Sequence, residues 1–135
     1  MDSLFIVMPA YNEEENIQAV VEQWYPLLSF GSADSRLVVA DSGSTDRTHS
    51  ILCRLQQSHP QLVVLPNTGK QHGPKVLALY KYAVTQKADY VFQTDSDGQT
   101  SPDEFAAFWQ ARHAYNGIFG YRRVRGDGQA RTFIE

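Results

Sequence analysis

The sequence predicts an α/β fold, a mostly parallel β-sheet with helices on both faces. Short runs that are apolar throughout alternate along the chain with amphipathic segments of helical period. A strand that is apolar on both sides must be buried on both sides, and the right-handed crossover helices between parallel strands provide that cover. The length of 135 residues, with 42% hydrophobic and 20% charged residues, indicates one globular domain over residues 1–135.

The first strand is SLFIVMP at residues 3–9, which ends at a proline. Asn12 followed by Glu15 matches a capping-box variant, so we expect the first helix to begin at Glu13. Its apolar face repeats at helical spacing and comprises Ile17, Val20, Val21, Trp24, Leu27 and Leu28.

The second strand is RLVVAD at 36–41, and SGSTDR then turns the chain into a second helix. That helix is predicted to bury Thr48, Ile51, Leu52 and Leu55. QLVVLPN at 61–67 is the third strand. Gly73 and Pro74 open a third helix, whose expected apolar residues are Val76, Leu77, Tyr80, Ala83 and Val84.

The fourth strand is DYVFQT at 89–94. Ser101, Pro102 and Glu104 then provide an N-cap, a proline at the first helical position and the reciprocal acid of a fourth helix. This helix carries Phe105, Phe108, Trp109 and Arg112, and NGIFGY at 116–121 reads as a fifth strand.

A polar loop follows each of the first four strands, namely PAYNEE, DSGSTD, NTGKQHG and DSDGQ. In open α/β sheets, ligands bind beyond the carboxyl ends of the strands, so these loops are expected to converge on one site. Asp41 can accept hydrogen bonds from a ligand there, and Lys70 with Lys75 suits a phosphate near a helix N-terminus. Each loop taken alone also fits a structural turn or a solvated surface.

Asp95 and Asp97 give the loop after the fourth strand its chemistry, because two acids so close repel each other unless a cation lies between them. Carboxylates with an amide oxygen from Gln99 suit Mg2+ or Mn2+, which take oxygen ligands and substrate phosphates. An EF-hand is excluded because Gly98 is fourth in the loop, where the sixth position needs glycine. A phosphatase of the haloacid dehalogenase type, with Asp95 as nucleophile, remains an alternative.

Charge and composition exclude several other classes. The net charge of -3 and pI near 5.8 argue against a nucleic-acid partner bound through a basic surface. Cys53 is the only cysteine, so no disulfide can form within the chain. No apolar run approaches the ~18 residues of a spanning helix, and Asp2 replaces the basic start of a secretion signal.

Five segments, in order, resemble family 2 glycosyltransferases of the GT-A fold, especially dolichol-phosphate and polyprenyl-phosphate sugar transferases. They are MPAYNEEENI, VVADSGSTDRT, HGPKVLALYKYA, ADYVFQTDSDGQTSPDEF and GYRRVRGD, and together they cover nearly the whole chain. The resemblance implies a Rossmann-like half that binds a nucleotide-diphosphate sugar donor with a divalent metal. Because catalytic domains of this family are longer, we expect residues 1–135 to be the N-terminal donor-binding part.

The resemblance also implies roles for single residues. Asp95 and Asp97 are the catalytic acids; Asp95 faces ribose or sugar, and Asp97 with Gln99 holds the metal. Ser42 replaces the second acid of the DDGS motif found in many members of the family. The nucleobase that the donor carries therefore stays open. Lys75 stands where many relatives have smaller residues, as a phosphate contact or a surface charge. The base and ribose are surrounded by Pro9, Ala10, Tyr11, Glu13 and Asp41.

The basic segment GYRRVRG has two interpretations. Arg122, Arg123 and Arg125 bind a lipid-phosphate acceptor or the donor's phosphates, or they form a solvated basic strand end. A lipid acceptor implies a cytoplasmic protein, peripheral at the cytoplasmic face of the membrane. A non-catalytic nucleotide-sugar-binding fragment is the alternative function. The uncovered edge of the fifth strand predicts self-association.

Overall fold

The computed structural model of the protein describes residues 1–114, 117, 119–120 and 133–134. By compactness the chain divides into two units, Met1–Thr100 and Ser101–Glu135. This division does not test whether the two units fold together, so the single domain over residues 1–135 stays a prediction.

The first unit contains a four-stranded parallel sheet in the order β3-β2-β1-β4. Its strands are β1 (Leu4–Ala10), β2 (Arg36–Asp41), β3 (Leu62–Leu65) and β4 (Tyr90–Gln93). All seven residues of β1 are buried, as expected for a central strand that is apolar on both faces. The predicted α/β class with a mostly parallel sheet is confirmed.

Three helices of the first unit connect these strands: α1 (Ile17–Trp24), α2 (Thr48–Gln56) and α3 (His72–Thr85). A short 3₁₀ helix, Tyr25–Phe30, extends α1. Between them they provide the crossovers that parallel strands require. None of the helices in the described part of the chain is long and apolar enough to cross a membrane.

The second unit begins with the 3₁₀ turn Pro102–Glu104 and α4 (Phe105–Ala111). The predicted N-cap is confirmed, because the Ser101 hydroxyl accepts a hydrogen bond from the Asp103 N–H at 3.2 Å. The fifth strand differs from the prediction. Phe119–Gly120 (β5) pairs antiparallel with Phe133–Ile134 (β6) in a separate two-stranded sheet, so it does not extend the parallel one.

The start of the first helix was also wrongly predicted. α1 begins at Ile17 instead of Glu13, and Asn12 has a left-handed backbone with φ of 52°. The Asn12 side chain accepts a hydrogen bond from the Thr45 N–H at 2.7 Å and donates one to Thr45 Oγ1 at 3.3 Å. Because it is engaged with the loop after β2, it does not cap the helix.

The buried face of α3 is a further correction. Lys75, Leu79 and Ala83, spaced four residues apart, are buried, whereas exposure reaches 54% for Leu77, 41% for Tyr80 and 76% for Val84. The helix is therefore turned so that a lysine, instead of those apolar residues, packs inward. Leu79 and Ala83 join the core with Phe5, Val7, Val38 and Ala40.

Candidate functional site

An open cleft of about 300 Å³ lies at the carboxyl ends of β1 and β4. Seven of the predicted site residues line it: Pro9, Ala10, Tyr11, Glu13, Lys75, Asp95 and Asp97. The loops after β1 and β4 and the start of α3 thus meet at the sheet edge where ligands of α/β proteins bind.

Other predicted site residues lie elsewhere. Asp41, Ser42 and Gln99 do not line this cleft, and Arg122, Arg123 and Arg125 lie outside the described residues. The Ser42 hydroxyl donates to the Gly69 carbonyl at 2.9 Å and accepts from the Thr68 N–H at 3.1 Å. Ser42 therefore fastens the loop after β2 to the loop after β3.

Three further residues line the cleft: Lys70, His72 and Ser96. Lys70 was singled out for a phosphate in the sequence, whereas His72 and Ser96 were not predicted. His72 lies in the same loop after β3 as Lys70, but nothing marked Ser96 beyond its position between two acids. Ser96 is buried, and its hydroxyl donates to the Pro9 carbonyl at 2.8 Å. This bond connects the end of β1 to the loop after β4. Asp95 and Asp97 are the chain neighbours of Ser96, so the bond also restrains the backbone that carries both acids.

Asp97 is held by its own loop. Its Oδ1 accepts a hydrogen bond from the Gln99 backbone N–H at 2.9 Å, and Gly98 between them has φ of 80°. A side-chain oxygen bonded to the backbone two residues on is an Asx turn, which fixes the direction of the carboxylate. Asp97 is therefore oriented before any ligand arrives.

Lys75 provides a buried positive charge beside the cleft. It is 1% exposed, and its Nζ donates to the Ala10 carbonyl at 2.5 Å and lies 5.1 Å from the centre of the Tyr11 ring. Burial lowers the pKa of Lys75, and the nearby Asp41 carboxylate opposes that shift. Only one of its three N–H donors is used by Ala10, so the ammonium group can also bind an anion.

Negative charge also accumulates in this cleft. The pKa of Glu13 is raised, chiefly by burial and also by the charges of Asp97, Asp46 and Asp95, while a hydrogen bond from Asn16 opposes the rise. Glu13, Asp95 and Asp97 thus repel one another in one cleft, an arrangement that a cation relieves.

The oxygen donors in this cleft fit a hard divalent cation such as Mg2+ or Mn2+. Among the described residues, no three His, Cys, Asp or Glu side chains form a ready-made metal site. An ion that takes one or two carboxylates and completes its shell with substrate phosphates needs no such group.

Glu13→Gln should stabilise the protein at neutral pH, because it removes a charge whose burial, together with repulsion from neighbouring carboxylates, raises the pKa of Glu13. A carboxyl with a raised folded pKa favours folding while protonated, and that contribution is lost as pH rises through the folded pKa. At pH 7 the variant should therefore unfold at a higher urea concentration than wild type. At a pH far below 4.5, the unperturbed pKa of a glutamate, the two proteins should unfold at the same urea concentration. Urea titrations at both pH values test this, and equal midpoints at pH 7 would contradict it.

The four-stranded parallel sheet and the carboxylate-lined cleft beyond β1 and β4 match solved GT-A nucleotide-sugar transferases, so the protein has the fold of that class. Mannosyltransferase PcManGT from Pyrobaculum calidifontis, solved with GDP-Man and Mn2+, superimposes with a TM-score of 0.65 at 25% identity, over 88% of this chain and 34% of that one. Glucosyl-3-phosphoglycerate synthase from Mycobacterium tuberculosis, solved with Mn2+, UDP and glucosyl-3-phosphoglycerate, gives 0.58 at 25% identity, over 86% and 40%.

The chain belongs to glycosyl transferase family 2, whose family model matches residues 5–133. Succinoglycan biosynthesis protein ExoA of Rhizobium meliloti is 34% identical, over 76% of this chain and 30% of its own length. Undecaprenyl-phosphate 4-deoxy-4-formamido-L-arabinose transferase of Proteus mirabilis is 25% identical, over 94% and 39%. The chain thus spans roughly a third of the length of these relatives. The family match confirms the resemblance and favours it over the phosphatase alternative.

Proposed function

We propose that this chain is the donor-binding part of a glycosyltransferase that moves a sugar from a nucleotide-diphosphate sugar to an acceptor. The observation that carries the proposal is the cleft that combines Glu13, Asp95 and Asp97 with the buried Lys75. A diphosphate bound with a divalent cation is complementary to both, because the cation suits the carboxylates and the phosphates suit the lysine. Solved relatives that contain Mn2+ with UDP or GDP-Man support this choice of ligand.

Each charged group has a role in this proposal. Lys75 and Lys70 bind the phosphates, while Pro9, Ala10 and Tyr11 line the space for base and ribose. Asp97 and Asp95 would hold the divalent metal, and Asp95 would also face the ribose or sugar. Gln99, which follows in the same loop but does not line the cleft, is the proposed further oxygen ligand. The metal supplies positive charge that stabilises the negative charge developing on the leaving diphosphate. Asp41, which does not line the cleft, is the remaining candidate to contact the nucleobase of the donor.

For the acceptor we propose a polyprenyl phosphate, as in the name of the relative from Proteus mirabilis. A phosphate monoester with a second pKa near ~6 is largely deprotonated at neutral pH, so it attacks without a general base. Arg122, Arg123 and Arg125 are the candidates to bind it. A lipid acceptor also places the protein at the cytoplasmic face of the membrane, as a peripheral protein.

We also propose self-association through an uncovered sheet edge. In the described part of the chain β4 is the end strand of the parallel sheet, and its Val91 is 42% exposed. An uncovered edge strand can pair with a strand of a second copy.

Calorimetric titration with UDP and GDP, with and without MnCl2, tests the proposed function. We expect nucleotide-diphosphate binding that strengthens at least about tenfold with Mn2+, since the ion relieves carboxylate repulsion and bridges the phosphates. Equal affinity with and without metal would contradict the proposal.

Assays of sugar transfer and of phosphate-ester hydrolysis then distinguish the glycosyltransferase from the two alternative functions. Sugar transfer to a polyprenyl phosphate identifies the enzyme, and metal-dependent binding without transfer identifies a non-catalytic binding fragment. Phosphate-ester hydrolysis that vanishes in Asp95→Asn would instead identify the phosphatase.

A further inference from the structure

A histidine on α2 lies between an exposed thiol and a buried carboxylate. His49 and Cys53 are one helical turn apart, and His49 Nε2 lies 3.5 Å from Cys53 Sγ. On its other side, His49 Nδ1 lies 3.4 Å from Asp41 Oδ2. The side chains of His49 and Asp41 are 59% and 1% exposed, and Cys53 is exposed. None of the three lines the carboxylate cleft.

The carboxylate at the buried end of this series has unused capacity. Asp41 Oδ1 accepts a hydrogen bond from the Ser44 hydroxyl at 2.5 Å. Asp41 Oδ2 is buried and has no hydrogen-bond partner within the described part of the chain, although it faces His49 Nδ1. A buried acceptor without a partner is costly, so a proton on Nδ1 next to it is favoured.

This arrangement determines what the histidine can do for the thiol. With the proton on Nδ1 facing Asp41, Nε2 carries the lone pair and can accept a proton from Cys53. On the other side of the ring, Nδ1 lies 3.4 Å from Asp41 Oδ2. A thiol beside a base that is itself oriented by a third group is the usual arrangement of an activated nucleophile.

We propose that Cys53 is a nucleophilic thiol, activated by His49 and Asp41, that reacts with low-molecular-weight disulfides. The Cys53 proton passes to His49 Nε2, and the thiolate attacks one sulfur of the disulfide RSSR. A new bond joins Cys53 to that sulfur as the S–S bond of RSSR breaks. The leaving RS⁻ takes the proton from His49, so the products are a mixed disulfide and RSH.

A solvated helix surface with two unrelated polar side chains is the alternative. An isolated exposed cysteine is only a few per cent thiolate at pH 7 and reacts at the rate of a free thiol. Activation by a neighbouring base predicts a faster reaction that depends on His49, which the alternative does not.

The full chain is incubated at pH 7 with oxidised glutathione, and the rate of mixed-disulfide formation is followed by intact-protein mass spectrometry. We expect wild type to react about tenfold faster than His49→Gln, with a smaller loss in Asp41→Asn. Cys53→Ser should form no adduct. His59→Gln is the matched control, because His59 bonds to the Leu55 carbonyl instead of to Cys53, and it should react like wild type.

Iodoacetamide separates activation of the thiol from attraction of the charged disulfide, because it is small and uncharged. If His49 activates Cys53, alkylation should slow in His49→Gln by a similar factor. Rates for wild type and His49→Gln within twofold of each other, with either reagent, would overturn the proposal. His49 is exposed, so its replacement leaves the core intact and the outcome does not depend on whether Asp41→Asn folds.

Discussion

Asp97→Asn is expected to weaken manganese-dependent binding of UDP by about a hundredfold or more. The substitution keeps a side-chain oxygen that can accept the hydrogen bond from the Gln99 N–H, so the turn should remain. It removes the negative charge that the proposed metal needs, in a cleft where Glu13 and Asp95 cannot replace it from the same position. Titration with UDP at a fixed MnCl2 concentration measures the loss.

Asp34→Asn is the matched control, because it removes the same charge from an exposed position outside the cleft. It should bind UDP like wild type. With the metal chelated, Asp97→Asn and wild type should both bind weakly and differ little. A hundredfold loss that persists without metal would show that Asp97 contacts the nucleotide itself and would refute the proposed metal role.

Lys75→Met should weaken binding of nucleoside diphosphates by about 10- to 100-fold while the protein stays folded. A hydrogen bond to a charged partner is worth about 1.5–3 kcal/mol, which Met cannot supply. Met fills nearly the same space, so the core around Leu79 and Ala83 keeps its packing. Uridine, which lacks phosphates, should bind both proteins equally.

The stability of this variant provides a second test. Burial lowers the pKa of Lys75, so at neutral pH its charge costs folding free energy, and Lys75→Met should be as stable as wild type or more so. As pH rises through the lowered pKa, Lys75 becomes uncharged in the folded protein, so the free energy of unfolding of wild type should increase relative to that of the variant. Lys81→Met, an exposed control on the same helix, should change neither binding nor stability. Unchanged UDP affinity in Lys75→Met would remove Lys75 from the phosphate site.

The strands could be predicted from the sequence because burial on both faces leaves a continuous apolar run. β2 was predicted at residues 36–41, the range that the structure shows. The rotation of α3 could not be predicted in this way. A lysine counts as polar in a periodicity pattern, and its burial depends on the Ala10 carbonyl and the Tyr11 ring, which are remote in sequence.

The same distinction applies to the site. Glu13, Asp95 and Asp97 were predicted to converge because their strands are parallel and end at the same edge. Asp41 also ends a strand, but the direction of its side chain is set by Ser44 and His49. Asn12 likewise matches a local capping pattern, yet Thr45 provides better partners. Position at a strand end is local information, whereas orientation depends on tertiary partners.

Hydrogen bonds between neighbouring loops give the cleft its shape in the absence of a ligand. Asn12 joins the loops after β1 and β2, Ser42 joins those after β2 and β3, and Ser96 joins the loop after β4 to the end of β1. A ligand that binds in this cleft would therefore contact loops whose conformational entropy was already lost when the chain folded, and most of the contact energy could appear as affinity.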